Sequence, residues 1–285
     1  MNTRPILLVS AAAMLIIAAV TLTGPVFSHS RELYERHEQQ PGAPFAEEPT
    51  GPAPQPSSSS TPTAKVPIIV YHIVRPSYPS DDPGVRAIAL TPQTFDAELA
   101  HLATAGYHVI GFHALELHFA AGAQLPTKPV ILSFDDGWGD QYAYAFPILQ
   151  KYHDSATFFV FTNAIGRRGF MTWDDLKNLT AAGMAIGDHT KSHPFLTKIT
   201  DPRKLWDEIH GSKLLLESRL GVSVTEFAYP FGQYNPDILT LVQQAGYKSA
   251  RGDYWKGNTQ SADHLYELSA VNAPTTTAAF IKRFP

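Results

Sequence analysis

From Val66 onward, short apolar runs alternate with stretches whose apolar positions recur at helical spacing. The runs that predict strands cover residues 67–72, 108–111, 129–135, 156–161, 184–187, 225–229, 247–250 and 268–271. Several are continuously apolar, the pattern of strands covered on both faces. Thr91-Pro92 opens a helix with Phe95, Leu99 and Leu102 on one face. Asp201-Pro202 opens another, carrying Leu205, Ile209, Leu216 and Leu220 and stopped by Gly221, and Asn235-Pro236 opens a third, ended by Gly246. Each start joins an N-capping side chain to a proline at the first helical position. Alternating β and α units imply a mainly parallel sheet with right-handed crossovers. About seven or eight units over ~220 residues imply a (β/α) barrel, closed or incomplete.

The first 65 residues break this pattern. Arg4 precedes an apolar run from Ile6 to about Phe27 with no polar face. Its length of roughly 20 residues suits a spanning helix, and the preceding charge orients the rest of the chain outward. Residues 1–28 are therefore expected to be an uncleaved membrane anchor, or a signal segment if Val26-Phe27-Ser28 is cleaved. Residues 29–65 carry Pro41, Pro44, Pro49, Pro52, Pro54, Pro56 and Pro62 and the tract Ser57–Ser60. That composition predicts a disordered linker with a reach of roughly 100 Å at most. Residues 66–285 are the expected folded domain.

Composition narrows the chemistry. Lys+Arg 22 against Asp+Glu 26 leaves a formal charge of −4. Without a basic excess, no nucleic-acid partner is expected. The absence of cysteine excludes disulfides, zinc–thiolate sites and thiol nucleophiles, so the 12 histidines become the metal-ligand candidates.

Two segments concentrate candidate ligands. Leu132-Ser133-Phe134-Asp135-Asp136-Gly137 ends an apolar run with adjacent carboxylates. Neighbours in a strand point to opposite faces, so both reach one site only where the strand stops, and Gly137 permits a sharp exit. Alone, the segment reads equally well as a strand-end turn with helix-capping aspartates. His189-Thr190-Lys191-Ser192-His193-Pro194 follows another apolar run. Pro194 disfavours helix at His193, which predicts a turn at a strand end. With Asp136 the pair gives two imidazoles and a carboxylate, a set that leaves a coordination position open for water. A third segment, Phe227-Ala228-Tyr229-Pro230-Phe231-Gly232, alone reads as ordinary turn chemistry.

In this order the three segments resemble those of polysaccharide deacetylases with a NodB-type homology domain (carbohydrate esterase family 4), over residues 66–285. The resemblance implies an α/β fold, a distorted (β/α)7 barrel, and metal-dependent removal of acetyl groups from sugars. It implies Asp135 as general base, Asp136, His189 and His193 as metal ligands, and the Phe231 backbone N–H as oxyanion donor. One divalent ion is implied: zinc by default, with cobalt, nickel or manganese as substitutes.

Two positions depart from the family pattern. Many members carry an arginine where this chain has Ala228, so Asp135 needs another partner or is held only by packing and the metal. The wording of this segment is similar to that of poly-β-1,6-N-acetylglucosamine deacetylases. Many members also place a histidine in a late Leu-x-His motif, and Tyr266-Glu267-Leu268-Ser269-Ala270-Val271-Asn272 has none. His72, ending the run Ile69-Val70-Tyr71, is the candidate replacement acid, against a backbone-bonded core-edge histidine. Trp138, Tyr142, Trp173, Tyr229 and Trp255 are candidate sugar-stacking rings, with Trp138, Trp173 and Tyr229 carried as substrate-binding residues; core packing is the competing role. The resulting expectation is a monomeric, extracytoplasmic N-deacetylase of an N-acetylglucosamine polymer, held to the membrane by its N-terminal helix. A degenerate barrel that binds glycan without turnover, or a deacylase of another substrate, are the alternatives.

Overall fold

The computed structural model describes residues 61–253 and 257–285. The expected anchor, nearly all of the expected linker, and Trp255 lie outside them. Among the described residues no helix is long and apolar enough to cross a membrane.

The barrel staves are β1 (Ile68–Tyr71), β2 (Pro129–Phe134), β3 (Thr157–Val160), β4 (Ala185–Asp188), β5 (Glu226–Ala228), β6 (Ser249–Asp253), and a split last strand, β7 (Leu268–Ser269) and β8 (Val271–Asn272). Their order is β7-β6-β5-β4-β3-β2-β1-β8, parallel throughout. Only Ala270 separates β7 from β8, so one chain segment pairs with β6 at one end and with β1 at the other. That brings the sheet nearly to closure, the architecture of a distorted (β/α)7 barrel. The run at 108–111 contributes only the short strand His108–Val109, paired with the start of β2.

The continuous apolar runs are explained by the two buried faces of each stave. Ile68, Val70, Ile131, Phe159, Ala228, Leu268 and Ala270 form one buried cluster with Phe112 and Leu115. Their alternating neighbours Ile69, Tyr71, Leu132, Phe134, Phe158, Val160 and Phe227 face the helical layer. There the rings of Phe134 and Phe158 stack at 4.7 Å, and Phe95 meets Tyr71 edge-on at 4.9 Å. Within the first cluster the small residues have a purpose. Gly187 is paired with Phe159, and a Cβ on Gly187 would lie 2.4 Å from that ring.

The helix starts hold. Thr91 accepts from the Thr94 N–H at the head of α1 (Pro92–Thr104), and Asn235 from the Ile238 N–H at the head of Pro236–Gln244. Asp174 and Asp175 lie in the first turn of Trp173–Ala181, where Thr172 and Asp175 form a capping box. The long helix expected after Asp201 is interrupted. Pro202–Trp206 and Ser212–Leu220 flank a π-turn over Asp207–Gly211. A second π-turn, Gln141–Ala145, precedes Phe146–Tyr152. Thr63–Lys65, inside the stretch whose composition predicts linker, is a strand paired antiparallel with Thr259–Ser261. The expected linker boundary at residue 65 is therefore too late: proline content does not register where strand pairing begins.

Candidate metal centre and acid–base site

The site lies where β2, β4 and β5 run out. β2 ends at Phe134, and Asp136 turns into the left-handed region with φ 74°, followed by Gly137 at 75°. A Cβ on Gly137 would press to 3.0 Å from Val160 Cγ1, so the turn needs glycine on space as well as on φ. Thr190, His193 and Phe231 are left-handed too, at 72°, 57° and 59°. Such backbone persists in non-glycine residues only where the surroundings hold it.

The His189–His193 turn is held from both ends. Asp188, fully buried, accepts from the Thr190 N–H at 2.7 Å, and from Ser212 Oγ at 2.7 Å and the Tyr247 hydroxyl at 2.6 Å. Glu208 accepts from the Ser192 N–H at 2.8 Å and from Ser192 Oγ at 2.6 Å. The His193 N–H donates to Thr190 Oγ1 at 3.0 Å. No helix is needed to bring the two imidazoles together, as Pro194 requires.

Asp136 Oδ1 lies 3.4 Å from His193 Nε2 and 3.7 Å from His189 Nε2, and the three donor atoms are mutually within 4.8 Å. The other Asp136 oxygen accepts from Trp138 Nε1–H at 3.0 Å. His189 Nδ1 is 2.7 Å from the Ala228 carbonyl, which fixes the proton on Nδ1 and leaves Nε2 bare for a cation. Burial lowers the His189 pKa, outweighing the pull of Asp135, so its imidazole is neutral as a ligand requires. The residues present therefore fit a divalent metal in both donor type and tautomer.

Asp135 is buried beside this set and faces a charge that the sequence did not reveal. Arg251 Nη2 donates to Asp135 Oδ1, with both side chains almost entirely enclosed. In register, Arg251 sits directly across from Ala228. The guanidinium expected at position 228 comes instead from the adjacent stave, and the small side chain there leaves room for it. Its carbon lies 4.5 Å above the Phe159 ring, the same ring that Gly187 accommodates. Burial alone would raise the Asp135 pKa; the Arg251 guanidinium, the leading opposing influence, helps hold the carboxyl below its ordinary value. His72 Nε2 lies 4.0 Å from Asp135 Oδ2, so that residue is in the site. Gln141, from the first π-turn, donates to the carbonyls of both His72 and Asp135, at 2.7 and 2.5 Å, and ties the ends of β1 and β2 together.

The stacking candidates separate. Trp138 is at the centre, as the hydrogen-bond donor to Asp136. Tyr229 is fully buried: its hydroxyl donates to the Tyr266 carbonyl at 3.1 Å and its ring stacks on Tyr234 at 4.6 Å, so it is core, not a sugar surface. Trp173 is partly buried, packed on the main core beneath the Arg219 guanidinium, and Tyr142, also partly buried, stacks on Phe146. The turn bonds around Phe231 run from the Gly232 N–H to the Tyr229 carbonyl and from the Gln233 N–H to the Pro230 carbonyl; neither uses the Phe231 N–H. Arg251, Gln141 and Glu208 carry no local motif. The predicted strand run at 247–250 stops one residue short of Arg251, which the structure places inside β6.

Comparison with known proteins agrees with this arrangement. A family model described as Polysaccharide deacetylase matches residues 122–250, which contain Asp135, Asp136, His189, His193 and Phe231. YxkH of Bacillus subtilis (strain 168), named for polysaccharide deacetylation, is 29% identical over 185 residues, 65% of this chain and 63% of its own. The poly-β-1,6-N-acetyl-D-glucosamine N-deacetylase of Staphylococcus aureus (strain MRSA252) is 25% identical over 181 residues, 59% of this chain and 62% of its own. The matches thus span just under two thirds of these relatives' lengths. Among solved structures, the Streptococcus pyogenes deacetylase PplD in complex with acetate superposes with a TM-score of 0.71 at 25% identity, over 79% of this chain and 100% of that one. IcaB from Ammonifex degensii shares the fold, with a TM-score of 0.67 at 24% identity over 77% and 97%. Motif order, barrel and family match converge: residues 122–250 match the polysaccharide deacetylase model, and the barrel is the one seen in solved deacetylase structures.

Proposed function

We propose that the protein hydrolyses N-acetyl groups from an N-acetylglucosamine-containing polysaccharide, using one divalent metal ion held by Asp136, His189 and His193. The carrying observation is the convergence of those three donors beside the buried, ion-paired Asp135. The metal, zinc by default with cobalt, nickel or manganese as substitutes, would supply Lewis acidity to the acetyl carbonyl and to water.

The chain's own residues account for the proton movements. Asp135, kept ionised by Arg251, takes the proton as water attacks the acetyl carbon. The Phe231 N–H is left to donate to the oxygen that becomes negative. The C–N bond then breaks, and the departing sugar amine needs a proton. His72 gives it, being 4.0 Å from the protonated Asp135 and able to be recharged from it. Trp138 steadies Asp136 in the orientation that faces both imidazoles.

Ala228 and the missing late histidine motivate the binding-only alternative; Arg251 and His72, both facing Asp135, support turnover instead. The Phe227–Gly232 wording and the staphylococcal relative favour a β-1,6-linked polymer as substrate. The apolar run after Arg4 and the proline-rich stretch behind it support a site of action outside the cytoplasmic membrane, reached by an anchored monomer on a tether.

The test is acetate release from peptidoglycan, chitin oligomers and β-1,6-linked oligomers, with and without chelator. Asp136→Ala and His189→Ala are expected to lose metal and activity together. Asp135→Asn is expected to keep the metal and lose activity; a fully active Asp135→Asn protein rejects the assignment.

A further inference from the structure

Phe195 and Phe231 are two large apolar side chains left exposed at the rim of the site, at 43% and 46%. They come from different segments: Phe195 follows the His189–Pro194 turn, and Phe231 sits in the turn after β5. Their rings stack at 3.9 Å with only 11° between planes. Phe231 meets the ring of His193, a metal-ligand residue, edge-on at 4.6 Å. Behind His193 the packing continues through Phe161 and Phe170 to Trp138, the partner of Asp136. An unbroken aromatic wall therefore runs from one side of the metal-ligand set to an open end at Phe195.

That open end is not there for core burial. Exposed aromatic area costs free energy in water, and Phe231 in addition holds a left-handed backbone. Phe231 covers one face of Phe195, so the exposed part of Phe195 is its other face and its edge. A pyranose ring of a β-linked glucosamine presents a flat array of C–H bonds with slight positive charge, which complements the negative face of an aromatic ring. Two ring contacts, of 4.6 and 3.9 Å, separate the ligand His193 from Phe195. This places the free face beside, not on, the reacting sugar.

We propose that Phe195, braced by Phe231, is a stacking platform for the sugar unit neighbouring the one deacetylated, and so selects polymer over single sugars. The proposal rests on the polysaccharide reading above. The platform takes the place of Tyr229, whose ring is fully buried.

The test uses the full chain in detergent, in an Asp135→Asn background to suppress turnover. A β-1,6-linked N-acetylglucosamine hexamer and the monosaccharide are titrated calorimetrically. Adding Phe195→Ala is expected to weaken the hexamer roughly three- to ten-fold, the worth of one aromatic contact, and to lower the hexamer-to-monosaccharide preference by the same factor. Phe195→Trp is expected to restore it. Equal hexamer affinity with and without Phe195, equal losses on hexamer and monosaccharide, or no hexamer binding at all would each overturn the platform. So would Phe195→Ala leaving sugar binding intact while abolishing co-sedimentation with anionic lipid vesicles. Acetate release by the parent protein, measured in parallel, reports separately on the deacetylase reading: its failure would sink that reading while leaving the binding comparison legible.

Discussion

Replacing Arg251 with Met removes a buried charge without leaving a void. Asp135 is then a carboxylate at 1% exposure with no guanidinium, and with the His72 imidazole at 4.0 Å as its neighbour. Breaking a buried pair from one side costs about 3–5 kcal/mol, because the remaining charge stays desolvated. The interaction lost is of that same size: about 4 kcal/mol for unit charges 4 Å apart at an effective dielectric of 20. At roughly 2–4 °C per kcal/mol for a domain of this size, the melting temperature should fall by about 6–20 °C. The double variant Arg251→Met/Asp135→Asn has no buried charge left unpaired and is expected to recover most of the loss. Thermal unfolding of the wild type, both single variants and the double variant closes the cycle. Acetate release should fall in Arg251→Met, because uncompensated burial favours the protonated carboxyl over the base. A single variant as stable as wild type, or a double variant no more stable than Arg251→Met, would refute the claim that Arg251 replaces the charge missing at Ala228.

Trp138→Phe keeps the ring on Phe170 but deletes the Nε1–H bond to Asp136 Oδ2; metal affinity is expected to fall about 10–100-fold in a chelator competition. Gly187→Ala drives a Cβ into the Phe159 ring and should lower the melting temperature by roughly 2–12 °C, with partial recovery in Gly187→Ala/Phe159→Leu. Glu98 is fully enclosed, neither carboxyl oxygen closes a hydrogen bond, and burial raises its pKa to about 8 despite the nearby Tyr71 hydroxyl. Between the ordinary glutamate value of 4.5 and about 8, the folded chain holds a proton that the unfolded chain has lost, so stability falls as pH rises through that window. Glu98→Gln should flatten that slope in urea unfolding series; an unchanged slope would place the titration elsewhere.

Periodicity and capping carried far because they are local. Thr91-Pro92 and Asn235-Pro236 satisfy backbone donors within three residues, and doubly buried staves must be apolar on both faces, so the helix starts and strand runs could be read directly. Asp135, Asp136, His189 and His193 were legible because strand ends followed by turn-forming residues aim short side chains at one point. The aromatic assignments were harder: Tyr229 and Phe195 each adjoin a turn proline, and packing decides which ring is buried and which exposed.

The sequence by itself determined the staves, the helix starts and the two segments that supply Asp136, His189 and His193, each being written in contiguous residues. Tertiary structure alone decided which charge faces the base, which π-turns hold the site together and which rings stay open to solvent. The physical reason is cross-strand register. Arg251 meets Asp135 because β5 and β6 pair with Ala228 opposite Arg251, and that register follows from the closure of the barrel rather than from any neighbouring residue.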